Sequence, residues 1–220
     1  MNRALRFWRS TVGKKIVMAV TGIIMIGFLI LHAAGNLQLF EGAERLNTYS
    51  AFLHGPANEA LWLVRVVLLV SVILHIVSAY QLTMLDRAAR PVPYAQRKLQ
   101  AATIGSRTMR VGGVLLALFI VLHILHFTTL TVRPAPMTAG DVYGNAIASF
   151  RIWWVTAFYV IAMIALGLHL YHGAWSSART LGFEQGNANP FHRPIAITLA
   201  VLIWAGFTIV PIAVYFHWVS

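Results

Sequence analysis

Five long apolar runs decide what this chain can be. They fall at about 15–34, 60–82, 110–131, 152–175 and 194–218. About 20 apolar residues in helical form cross the hydrocarbon of a bilayer. Inside lipid every backbone N–H and C=O needs an intramolecular partner, so runs of this length are expected to be helices. The expected fold is an all-α integral membrane protein, with five transmembrane helices in one bundle and a single domain over 1–220. Gly35–Asn36, Pro91-Val92-Pro93, Pro134-Ala135-Pro136 and Asn189–Pro190 punctuate the connections, and none of these is long enough to separate two domains.

Composition agrees. Of the 220 residues 59% are hydrophobic and only 10% charged, whereas soluble domains carry about a quarter charged residues. The formal charge of +11 is not read as a nucleic-acid footprint, because the basic residues sit at the edges of apolar runs, where topology requires them. The first run has a basic start and Ala33-Ala34-Gly35 as a possible cleavage site. It is long for the core of a signal peptide and carries His32, so it is read as a span.

Lys and Arg counts set the orientation. Arg3, Arg6, Arg9, Lys14 and Lys15 precede the first span. Arg87, Arg90, Arg97, Lys98, Arg107 and Arg110 lie in the second connection, and Arg179 and Arg193 in the fourth. Only Arg45, Arg65, Arg133 and Arg151 fall on the other side. This asymmetry puts the N-terminus in the cytoplasm and the C-terminus outside.

The chain has no cysteine and nine histidines. Cysteine-ligated iron–sulfur clusters, disulfides and covalently attached haem are therefore excluded. The histidines form a pattern. His32 lies late in span 1, His75 late in span 2, His123 and His126 late in span 3, and His169 and His172 late in span 4. Successive spans alternate in direction. At about 1.5 Å of rise per residue, the span 1 and span 3 histidines share an outer level and those of spans 2 and 4 an inner level, on the order of 15 Å apart. Two bis-histidine haems need this arrangement, with an imidazole on each face of each porphyrin. Such ligation leaves no open site on iron and suits electron transfer. A single intramembrane histidine is more often a polar contact between helices; histidines on four helices at two matched levels point to ligation, since ionisable groups at depth mark function. The His-x-x-His spacing of His123 and His126, and of His169 and His172, also suits zinc, but a zinc site needs further ligands. A spare histidine is better read as a hydrogen-bond donor to a haem propionate or a quinone. Gly22, Gly27, Gly112, Gly113, Gly167 and Gly173 lie in the spans, where small residues allow close helix packing or the approach of a flat macrocycle.

These residues resemble a family. The motifs are Leu31-His32-Ala33-Ala34-Gly35-Asn36-Leu37-Gln38-Leu39-Phe40, Leu46-Asn47-x-Tyr49-x-x-Phe52-Leu53-His54, and His75-x-x-x-Ala79-x-x-Leu82-Thr83. They continue with Arg87-x-Ala89-Arg90-Pro91-x-x-Tyr94, Gly113 ten residues before His123, and His169-x-x-x-Gly173-x-Trp175-Ser176. In this order the chain is similar, over nearly its whole length, to the cytochrome b membrane anchors of succinate:quinone oxidoreductases. The match is to the single-chain, five-helix, two-haem class shared with quinol:fumarate reductases.

The resemblance implies His32 and His123 as ligands of an outer, low-potential haem b, and His75 and His169 as ligands of an inner, high-potential one. His126 and His172 remain alternative ligands or haem or quinone contacts. It also implies the bacterial cytoplasmic membrane and two partners: a flavoprotein subunit with covalent FAD, which interconverts succinate and fumarate, and an iron–sulfur subunit. Both would dock on the cytoplasmic face, where the basic N-terminal tail and the connection 87–110 lie. The chain would exchange electrons between them and a membrane quinone, as the haem- and quinone-binding subunit of succinate dehydrogenase in the tricarboxylic acid cycle. His54 and Glu59 are outer candidates for a quinone site, and His172, Tyr80 and Arg110 inner ones. Rival readings are the quinol:fumarate reductase anchor, a di-haem cytochrome b of a hydrogenase or formate dehydrogenase, and a proton-coupled transporter. Complex-III-type cytochromes b place two histidines about a dozen residues apart on each of two helices, a spacing absent here. The transporter would call for broken helices and an inverted repeat, and neither is evident.

Overall fold

The computed structural model describes residues 2–89, 104–183 and 192–219. Among these every regular element is helical, and five helices are long and apolar enough to span a membrane. The motif residues Arg90, Pro91, Pro93 and Tyr94, the basic Arg97 and Lys98, and Asn189–Pro190 lie outside the described residues.

A short helix α1 (Arg3–Arg9) leads into α2 (Thr11–Leu37). Ser10 caps α2 by accepting from the Gly13 N–H (2.9 Å), which satisfies one of the donors a helix start leaves open. Lys14 folds back and donates to the carbonyls of Trp8 (2.8 Å) and Arg9 (3.0 Å), closing the C-terminus of α1 with a cation. Two further long helices are α4 (Asn58–Ala88) and α7 (Trp153–Thr180). α5 (Ile104–His123) runs into a wider π-type turn at Ile124–Thr128. The last helix is α8 (His192–Tyr215), which continues through Pro211.

The helices extend beyond the apolar runs. The first span reaches Thr11–Glu41 and the fourth ends at Thr180; Lys14 and Arg179, both good helix formers, lie in the extensions at 11–14 and 176–180. Gly35–Asn36 does not end α2, contrary to expectation. A Cβ on Gly35 would lie 3.1 Å from the Tyr49 ring; the glycine leaves room for Tyr49 to close on the helix. The real stops use left-handed residues. Gly182 (φ 82°) follows α7, with Gly182 N–H donating to Arg179 O (3.2 Å) and Phe183 N–H to Ala178 O (3.0 Å), a Schellman ending. α8 closes the same way with His217 (φ 60°) in the glycine position.

Two helices were not foreseen: α3 (Ala43–His54) and α6 (Val142–Phe150). They pack together. Asn47 of α3 donates to Asp141 Oδ1 (2.9 Å) and accepts from Tyr143 N–H (3.0 Å), while Asp141 caps α6 by accepting from Gly144 N–H (2.9 Å). Leu39, Leu46, Ile147, Phe150, Val155, Tyr159 and Val214 form a buried apolar cluster beneath them. α3 and α6 thus make a lid over the end of the bundle to which α2 runs.

α7 is central, packing on α8, α5 and α2, while α2 packs on α4, α7 and α8. Gly167 admits Trp204 of α8, and Gly105 admits the backbone and side chains of α7 around Leu168–His172. Among the described residues α4 makes its close contacts with α2 and α3, and α5 with α7 and its own π-type turn. Among the described residues, α2 with α5, and α4 with α7, are not closely packed pairs. These are the pairs that meet through histidines.

Candidate cofactor site: two histidine pairs

Four helices deliver four imidazoles in two pairs. His32 of α2 and His123 of α5 have ring centroids 5.9 Å apart. His75 of α4 and His169 of α7 have centroids 6.2 Å apart. With a metal–imidazole bond of about 2.0 Å and a ring centre roughly 1.1 Å behind its nitrogen, two imidazoles on opposite sides of one metal have centroids about 6 Å apart. Both pairs meet this condition.

The pairs lie at different heights. The His75 ring reaches Met18 and Gly22 on α2, whereas the other pair includes His32 of the same helix. Ten to fourteen residues separate these positions, or about 15–21 Å at the helical rise.

Hydrogen bonding fixes the His75 ring. Thr21 Oγ1 spends its proton on the Val17 carbonyl (2.7 Å). His75 Nδ1 faces that oxygen at 3.3 Å and the Met18 carbonyl at 3.0 Å. Neither can donate to it, so Nδ1 carries the hydrogen and donates, and Nε2 keeps its lone pair. A carbonyl accepting from the far nitrogen is the usual partner of a metal-binding histidine. His169 Nδ1 is buried with no hydrogen-bond partner among the described residues. Gly22 of α2 and Gly113 of α5 stand beside this pair, their nearest neighbours being His75 Cε1 (3.5 Å) and His169 Cε1 (4.0 Å) from an ideal Cβ. The two helices that give this pair no histidine thus present glycine to it. An apolar cavity of about 240 Å³ also abuts His169, lined by Met109, Gly112, Leu115, Ile164 and Leu168 among others.

The other pair sits in an aromatic sleeve. Phe28 stacks on His32 (5.2 Å) and Phe119 on His123 (5.6 Å), each one helical turn earlier, and Phe207 and Phe127 close the sides. Among the described residues the Gln38 oxygen, six residues past His32, is buried without a partner, as are the Gln81 oxygen, six past His75, and the Ser78 hydroxyl. Buried polar atoms need partners, and here they flank both pairs on the side toward each helix end. Facing imidazoles, adjacent glycines and unpartnered polar atoms together fit a flat bis-imidazole metallomacrocycle with polar edge groups.

The tandem histidines resolve differently from one another. His126 is buried and uses both nitrogens: Nδ1 bonds Tyr159 Oη (2.8 Å) and Nε2 bonds Ser149 Oγ (3.0 Å). Both His126 nitrogens are thus engaged, whereas of the His123 ring only Nδ1 meets a side-chain partner among the described residues. His172 is half-buried, with its ring edge-on to Trp175 at 6.4 Å. Among the described residues no group of three or more His, Asp or Glu side chains converges on a metal position, so the His-x-x-His spacing has no third ligand.

The quinone-site candidates are scattered and exposed. His54 is held locally, donating from Nδ1 to Ser50 O (2.9 Å) and accepting at Nε2 from Arg65 (3.3 Å). Glu59 is exposed in the first turn of α4. Tyr80 lies on the outer face of α4, 65% exposed, and Arg110 pairs with Asp86 (3.5 Å), tying α5 to α4. Sequence reasoning missed Thr21, Tyr159 and Ser149, whose roles depend on partners from other helices. Comparison with protein-family models, curated proteins and solved structures finds no match.

Proposed function

We propose that the chain is a di-haem cytochrome b, the membrane-anchor subunit of a succinate:quinone oxidoreductase. The observation that carries the di-haem reading is the pairing of His32 with His123 and of His75 with His169, at bis-imidazole separation and at two heights. The narrower assignment to succinate:quinone oxidoreductase rests on the motif resemblance. When bound, each haem b supplies a one-electron Fe(III)/Fe(II) couple with no open coordination position. His32 and His123 would hold one haem and His75 and His169 the other. Met18 and Thr21 orient the His75 ring, and the Phe28, Phe119, Phe127 and Phe207 rings exclude water from the opposite pair.

In this reading the chain passes electrons between an iron–sulfur subunit and a membrane quinone. The succinate chemistry lies in a flavoprotein partner. The N-terminus faces the cytoplasm of a bacterial inner membrane, as the Lys and Arg asymmetry requires. The quinol:fumarate reductase anchor shares every one of these features and differs in direction.

Purification from a native membrane tests this reading. Two b-type haems per chain in the reduced spectrum, together with co-purifying flavoprotein and iron–sulfur subunits, are expected. A colourless protein would favour the proton-coupled transporter, and a nickel- or molybdenum-containing partner would favour the hydrogenase or formate dehydrogenase reading.

A further inference from the structure

A chain of hydrogen bonds runs from the lid into the His123 ring. Ser149 of α6, fully buried, sits 4.0 Å from Met137 Sδ and 3.0 Å from His126 Nε2. His126 Nδ1 lies 2.8 Å from Tyr159 Oη, and Tyr159 Oη lies 3.3 Å from His123 Nδ1.

The His123 end sets the direction of the bonds. Where His123 Nε2 ligates a metal, as in the two-haem reading, its hydrogen sits on Nδ1 and is donated to Tyr159 Oη. The Tyr159 hydroxyl then donates to His126 Nδ1, and His126 carries its hydrogen on Nε2 and donates it to Ser149 Oγ. The Ser149 hydroxyl is left for the Met137 sulfur, a weak acceptor. The chain of partners thus matches the tautomer that a metal ligand needs. His75 reaches the same tautomer through a backbone carbonyl.

We infer that Tyr159 and His126 are positioning residues for His123: they fix its tautomer and strengthen it as a donor to iron, lowering the reduction potential of the haem it holds. The inference rests on the two-haem reading. A hydrogen bond accepted from the far nitrogen raises the basicity of an imidazole ligand, and a stronger donor favours Fe(III). The Ser149 link means that the lid helix α6 reaches the ligand through only two side chains.

The test is redox titration and low-temperature electron paramagnetic resonance of the intact complex. Tyr159→Phe should raise the midpoint potential of one haem and shift its low-spin signal, leaving the other haem unmoved. His126→Leu should move the same haem in the same direction by less. His126→Asn, whose carbonyl oxygen can stand in for Nδ1, should return it toward the wild-type value. If Tyr159→Phe loses that haem, the His126 pair decides. An unchanged potential and signal in His126→Leu would overturn the inference, as would equal shifts in both haems. A haem-loaded wild type whose variants do not shift sinks this inference alone; a wild type without b-type haem sinks the two-haem reading beneath it.

Discussion

His75 meets a carbonyl, which can only accept, at Nδ1, and His123 meets the Tyr159 hydroxyl at Nδ1, which leaves Nε2 of each ring for another partner. His126, three residues from His123, has both engaged. If the proposed function holds, replacing His75 with leucine is expected to lower the haem content from two per chain to one, and to stop succinate-driven quinone reduction, while His126→Leu keeps two. A pyridine-adduct assay of each purified variant measures this directly. Asp141 gives a second residue-scale expectation. The Gly144 N–H and then the Asn47 amide hold its carboxyl below the usual carboxylate range. A depressed acid stabilises the fold above its unfolded pKa of about 3.9, and that contribution disappears as pH falls through the still lower folded value. Asp141→Asn keeps a capping side chain but does not titrate. The melting-temperature difference between wild type and this variant should shrink on acidification toward about pH 3, by a modest amount because the carboxyl is largely solvated.

At the scale of elements, glycine positions separate packing from punctuation. Gly105 lets α5 lie against α7: an added Cβ would stand 3.0 Å from the Leu168 carbonyl oxygen and 3.1 Å from the Tyr171 ring. Gly105→Val is expected to destabilise the protein by about 1–3 kcal/mol, the usual cost of overpacking, seen as a lower melting temperature in detergent. His217 is the reverse case. It holds a left-handed position that costs a non-glycine residue roughly 1–2 kcal/mol, so His217→Gly should raise the melting temperature. The five spans and the four ligand candidates were legible because long apolar runs and histidines at depth are strong, local signals. α3 and α6 were missed because they are short, and neither is apolar enough over a bilayer-length window to register as a span. Asp141 is of a residue type that caps helices, yet it lies in a segment that the apolar runs leave as connection. Tyr159 and Ser149 left no periodic trace, since a hydrogen bond between helices has no spacing in sequence.

The whole molecule has an uneven interior. α7 and α8 are the best-buried spans and α4 is the least, with only 6% of its most apolar window covered. Hydrophobicity does not drive helices together in lipid, where a leucine is as well solvated by acyl chains as by a neighbour. α4 packs closely on α2 and α5 on α7, whereas among the described residues α4 meets α7, and α5 meets α2, mainly through imidazoles. A ligand that bridges the gaps between those imidazoles stabilises the folded arrangement by mass action. If the proposed haems fill these gaps, chains made in cells starved of haem synthesis should be cleaved faster than haem-replete ones, at unchanged message levels. Pulse-labelling with limited proteolysis would reveal this. The supply of a small pigment would then set the lifetime of the polypeptide, and an anchor that never received its iron would be cleared before it could recruit partners.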